Sequence, residues 1–164
     1  MSLLHVQDPD VVITHPNRDT AAAKGTRAFV IVVLLASAAL LAVILVGSQG
    51  ARAGAFLLQV LIGLLFVYFA YAVSHWRSGV LPIAAGVAIT SGIFAAVSVP
   101  SWFDRGGDGY KTPPIPESVL GVLVLAFAIL QIVNVVVCLR GFAQNWQVEL
   151  EVPKSEFRGD PATA

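Results

Sequence analysis

Long apolar runs alternate with short polar ones along this chain, and four of the runs are of similar length. The clearest covers 118–140, SVLGVLVLAFAILQIVNVVVCLR, with no charge before Arg140 and two amides, Gln131 and Asn134. About twenty apolar residues in a helix rise about 30 Å, the thickness of a bilayer's hydrocarbon core. Three similar runs precede it, at about 27–47, 55–75 and 80–99. Short connections between such runs return each helix antiparallel to the last. The pattern predicts an all-α integral membrane protein, four transmembrane helices in an up-down-up-down bundle over residues 27–141.

The spans differ in bulk. The first is small in its middle (Ala36, Ser37, Ala38, Ala39), and the second carries Phe56, Phe66, Tyr68, Phe69 and Tyr71. In the third, Pro82 sits in the first turn, where proline costs little, and Pro100 is expected to end the helix. Ala84, Ala88, Gly92 and Ala96 form an i, i+4 ridge with almost no side chain. Small ridges let helix backbones approach in lipid, where apolar burial gives no driving force. The third span is therefore expected inside the bundle and the second at its periphery.

Outside the spans, residues 1–26 are polar and mixed in charge, unlike the short basic start of a signal peptide. Val11–Thr14 is a short β-branched run, a strand signal, and Pro9 and Pro16 argue against a helix. The loop 101–117 holds three glycines and three prolines. In the tail 142–164, Trp146, Val148, Leu150 and Val152 alternate with Gln147, Glu149 and Glu151. That period of two predicts a half-buried strand at 146–152. With four spans both tails fall on one side, so the two strands are expected to pair with each other or to add to a partner's sheet edge.

Orientation follows from basic residues near the helix ends. The side with the tails holds Arg18, Lys24, Arg27, Arg77, Arg140, Lys154 and Arg158; the other holds Arg52, Arg105 and Lys111. The expectation is a multi-pass protein of the cell membrane with both termini cytoplasmic. His75, Trp76, Arg77, Trp102 and Arg140 are placed as interface anchors.

Depth arithmetic groups the polar side chains. Helix midpoints fall near Ser37, Leu65, Thr90 and Ile129. Tyr68 then matches Gln131 in depth, and Tyr71 matches Asn134, all toward the tails. Each pair is spaced i, i+3 and so shares a face. Ser37, Thr90 and Ser91 supply hydroxyls at the midplane. One reading is hydrogen bonding between helices; the sharper one is a polar cavity holding a quinone head, a lipid head or water. Phe127, Gln131, Asn134 and Cys138 share one stripe of the fourth span, where Cys138 reads as a small apolar packer.

Composition fits this picture. The 164 residues are 57% apolar and 12% charged, with a formal net charge of zero. Soluble domains carry about 25% charged residues. The balance excludes a nucleic-acid partner and leaves the lipid bilayer as the principal one. One cysteine excludes an internal disulfide and a CxxC redox pair. Arginine over lysine, with much Ala, Val and Gly, suggests a GC-rich bacterial genome. His75 is alone beside a span, whereas a haem in a bundle wants two facing ligands. Asp104-Arg-Gly-Gly-Asp108-Gly has too few oxygens for a calcium loop. No cofactor and no metal are expected. The spans carry no Asp, Glu, Lys or Arg, the residues on which pumps, proton-coupled exporters and ion pathways rely. No nucleophile–base or metal constellation suggests an enzyme. The expectation is a non-catalytic accessory or assembly subunit of a larger membrane complex, docking through the second span and the tails. The alternative is a homo-oligomeric transporter or channel for a neutral or lipid-like solute, lined by Tyr68, Tyr71, Gln131 and Asn134.

Overall fold

A computed structural model of the chain describes residues 11–48, 53–104 and 113–153. Arg52, Arg105, Lys111, Lys154 and Arg158 of the charge count, His5, and residues 105–112 of the 101–117 loop lie outside the described residues. The order is β1 (Val11–Thr14), α1 (Pro16–Asp19), α2 (Ala21–Gly47), α3 (Ala53–Ser74), a 3-10 turn (Ser78–Val80), α4 (Leu81–Phe103), α5 (Glu117–Ala143) and β2 (Leu150–Pro153). Four helices are long and apolar enough to cross a membrane. The protein is an all-α, four-helix, multi-pass membrane bundle.

Two boundaries differ from the sequence expectation, each for a local reason. The first span starts at Ala21 rather than Arg27. Thr20 stays extended, and its hydroxyl accepts the Ala23 N–H at 3.1 Å. That cap satisfies a donor the helix leaves open, and the alanines after it are the strongest helix formers. Pro16, which argued against a helix, is the first residue of the single-turn α1; its missing N–H is unused there. The third span runs through Pro100 to Phe103. Pro100 faces outward, and an internal proline removes one backbone hydrogen bond, which membrane helices tolerate.

α5 is the central helix. It packs extensively against α4 and also against α2; α3 lies mainly on α2, and α3 and α4 touch sparsely. The second span is peripheral, but the interior place expected of the third goes to the fourth. The small ridge of α4 drifts. Ala84 and Ala88 are fully buried, while Ala96 is exposed and Ala95 takes its place. Each i, i+4 step advances about 40° beyond a full turn, so a four-step ridge leaves the interface it began in. Gly92 sits at a close approach of α4 to α5: a Cβ there would lie 3.0 Å from Gln131 Cβ.

The tails meet. β1 and β2 form an antiparallel ribbon, with Val12 opposite Val152 and Thr14 opposite Leu150. Both tails therefore lie at one end of the bundle, here the tail end. The second strand is shorter than expected. Trp146 is not in it but fully buried under the helices, and Val148 and Leu150 are exposed.

Candidate functional site

Three places in the bundle gather polar side chains: a closed network at mid-depth, a clasp at the tail end and a cavity in the opposite half.

The network joins α2 to α5. The Ser37 hydroxyl donates to Val33 O at 2.8 Å and accepts from Gln131 Nε2 at 3.3 Å and Asn134 Nδ2 at 3.5 Å. Gln131 Nε2 also donates to Phe127 O, and Asn134 Nδ2 to Gln131 Oε1, both at 3.3 Å. Cys138 Sγ closes the chain, 3.6 Å from Asn134 Oδ1. Every amide atom has a partner, and Gln131 and Asn134 are 2% and 0% exposed. This corrects the expected cluster. Tyr68 and Tyr71, matched to the amides in depth, are 51% and 61% exposed on the outer side of α3. Depth fixes height along a helix, not azimuth, and α3 turns Phe66, Phe69 and Val73 inward instead. Thr90 is exposed and bonds to Gly86 O, and buried Ser91 bonds to Ala88 O. The three mid-depth hydroxyls are not brought together.

The clasp is built on two residues with positive φ, Trp76 (59°) and Asn145 (48°). Past α3, Trp76 N–H bonds to Val73 O and Arg77 N–H to Ala72 O. This is a Schellman ending with tryptophan where glycine is usual. A bulky side chain in left-handed backbone costs about 1–2 kcal/mol, offset by what the indole touches. The Arg27 guanidinium lies 4.3 Å above its ring and also donates to the Val73 and Ser74 carbonyls, the last of α3. A cation there complements the helix dipole. Past α5, Asn145 turns the chain back and buries Trp146 against Gly141 and Leu81. Trp146 Nε1 donates to Gln144 Oε1 at 2.9 Å, Gln144 Nε2 to the Thr26 hydroxyl at 3.0 Å, and Arg18 Nε to Trp146 O at 2.9 Å. The anchors thus divide. His75, Arg77 and Arg140 are exposed, while Trp76 is half-buried in the clasp. Trp102, expected at the interface, is buried, because α4 continues past Pro100 and carries it inward.

The cavity lies in the half of the bundle away from the tails, with a volume of about 200 Å³. All four long helices line it. Ile44 comes from α2 and Ser48 from its cap, Leu58 and Gln59 from α3, Ser98 and Trp102 from α4, and Phe127 from α5. Leu58 and Phe94, on either side of the sparse α3/α4 contact, are exposed, so the mouth faces the bilayer between these helices. Among the described residues, none of those lining it is charged. The sequence reading missed Gln59 and placed its cavity in the wrong half. The signal was available, since Gln59 is the one amide in the second span. The partners of Arg27 and Gln144 left no such signal, because they are distant in sequence. Among the described residues no three of His, Cys, Asp and Glu converge as metal ligands.

No protein-family model matches the chain, and no curated protein and no solved structure matches it.

Proposed function

We propose that the chain is a non-catalytic accessory or assembly subunit of a larger complex in the cell membrane, with both termini cytoplasmic. The observation that carries the reading is the closed Ser37–Gln131–Asn134 network. The polar groups at the centre of the bundle are consumed in holding α2 to α5. Residues 28–47, 53–74, 81–103 and 118–139 contain no Asp, Glu, Lys, Arg or His, so an ion pathway has no relay there. The alternative of a homo-oligomeric channel or transporter loses support, since its lining of Tyr68, Tyr71, Gln131 and Asn134 is split between the outside of α3 and a sealed interior.

Two surfaces suit a partner. The outer face of α3 presents Tyr68 and Tyr71 beside leucines. Among the described residues the outer edges of the ribbon pair with nothing, and an isolated two-stranded ribbon is marginally stable in water. The cytoplasmic orientation rests on Arg18, Lys24, Arg27, Arg77 and Arg140 at the tail end.

Affinity purification of the tagged protein in mild detergent tests the main reading. A stoichiometric membrane partner is expected, and a monodisperse lone chain counts against it. Orientation is tested with a cysteine at Thr14, since the native Cys138 is buried. An impermeant maleimide is expected to label it only after the membrane is opened.

A further inference from the structure

We infer that the cavity between α3 and α4 binds the head and upper chain of a neutral single-chain amphiphile carrying hydroxyl and carbonyl groups, such as a monoacylglycerol. This inference is independent of the proposed subunit role.

The polarity of the lining argues for the class of ligand. Three serines face the cavity, and each donates its hydrogen into its own helix: Ser48 to Leu45 O, Ser91 to Ala88 O and Ser98 to Ala95 O. What they leave toward the cavity is lone pairs, so the complementary groups are hydroxyl donors. Gln59 is half-buried, and its carboxamide has no hydrogen-bond partner among the described residues. An amide in apolar surroundings is costly without a partner. Its N–H groups suit a carbonyl and its oxygen a hydroxyl. Among the described residues the lining carries no charge, so it offers a charged head no counter-ion.

Depth and size argue for the orientation. Gln59 is the seventh residue of α3, roughly 9 Å in from the helix start at Ala53. Ser48 caps α2 and Trp102 is the last residue but one of α4, so both sit at the helix ends, and Ser91 lies roughly 16 Å deeper than Trp102 along α4. The slot thus runs from the headgroup boundary toward the midplane. At about 30 Å³ per water-sized group, the cavity's 200 Å³ holds the glycerol head and the first few methylenes. The rest of the chain leaves through the mouth between Leu58 and Phe94, both exposed to lipid. Pockets that orient such ligands combine apolar walls with a few placed polar groups.

The test uses the full chain in phosphatidylcholine nanodiscs and a monoacylglycerol brominated near its carbonyl. Of the three tryptophans, only Trp102 lines the cavity; Trp76 and Trp146 are at the other end. Saturable quenching of one tryptophan's share of the emission is expected at low mole fraction. Unlabelled monooleoylglycerol should reverse it, and oleate should not. Gln59→Leu should weaken it about tenfold, and Ser98→Leu, which fills the slot, should abolish it. Quenching that rises linearly with mole fraction overturns the inference, as does equal competition by oleate. Saturable quenching unchanged in Gln59→Leu overturns it too. The competition arm decides the matter should either variant fail to fold.

Discussion

Trp146 meets Trp76 edge to face, with ring centroids 5.5 Å apart and planes at 89°. One ring belongs to the turn after α5, the other to the turn after α3, and Arg27 of α2 lies over the second. Three helices are thus fastened at the tail end by contacts that no pair of sequence neighbours makes. Truncating a buried tryptophan costs about 3–5 kcal/mol. Trp146→Ala is expected to fall in that range, measured as a lowered midpoint in detergent melts. Trp76→Gly should cost less, because it also removes the strain of a tryptophan in left-handed backbone. Equal losses would show that the strain is not there.

Arg27 performs two tasks that lysine cannot combine. Its planar fork reaches two carbonyls while its face covers an indole. Arg27→Lys should therefore lose most of what Arg27→Ala loses, roughly 1–2 kcal/mol. Urea or thermal unfolding of the two variants side by side decides it.

The mid-depth network predicts non-additive losses. Gln131→Leu takes from Asn134 Nδ2 one of its two acceptors, leaving only Ser37, and Asn134→Leu strands Gln131 Oε1 and the Cys138 thiol. Each single change should destabilise by about 1–3 kcal/mol. The double change should cost less than the sum, with a coupling of about 0.5–1.7 kcal/mol. A double-mutant cycle read by thermal unfolding checks this. Additive losses would show that the amides do not interact.

The drift of the small ridge makes a sharp comparison. Ala88→Leu overpacks the α4–α5 contact and should cost about 1–3 kcal/mol, whereas Ala96→Leu faces lipid and should be nearly neutral. Thermal melts of the two proteins are the measurement, and equal effects would restore the straight ridge.

Truncation separates the ribbon from the clasp. Ending the chain after Gln147 removes β2 but keeps Gln144 and Trp146, and the bundle should melt within about 1 kcal/mol of the full chain. Ending it after Ala143 also removes the Thr26–Gln144 bond and the Trp146 packing. Loss of the buried indole should then lower stability by about 3–5 kcal/mol.

The sequence by itself determined the four helices, their antiparallel order and the shared end of the two tails. Only helices satisfy their own backbone in hydrocarbon, so composition and run length suffice for that much. It also marked Ser37, Gln131 and Asn134, because a polar side chain inside an apolar run demands a partner. The tertiary structure decided which partner. Azimuth around a helix depends on how its neighbours pack, so Tyr68 and Tyr71 went outward although their depth matched the amides. The same packing put α5 rather than α4 at the centre, carried Trp102 inward past Pro100 and opened the cavity beside Gln59. In lipid no apolar face is distinguished from another by solvent, and shape between helices makes the choice that water makes for soluble folds.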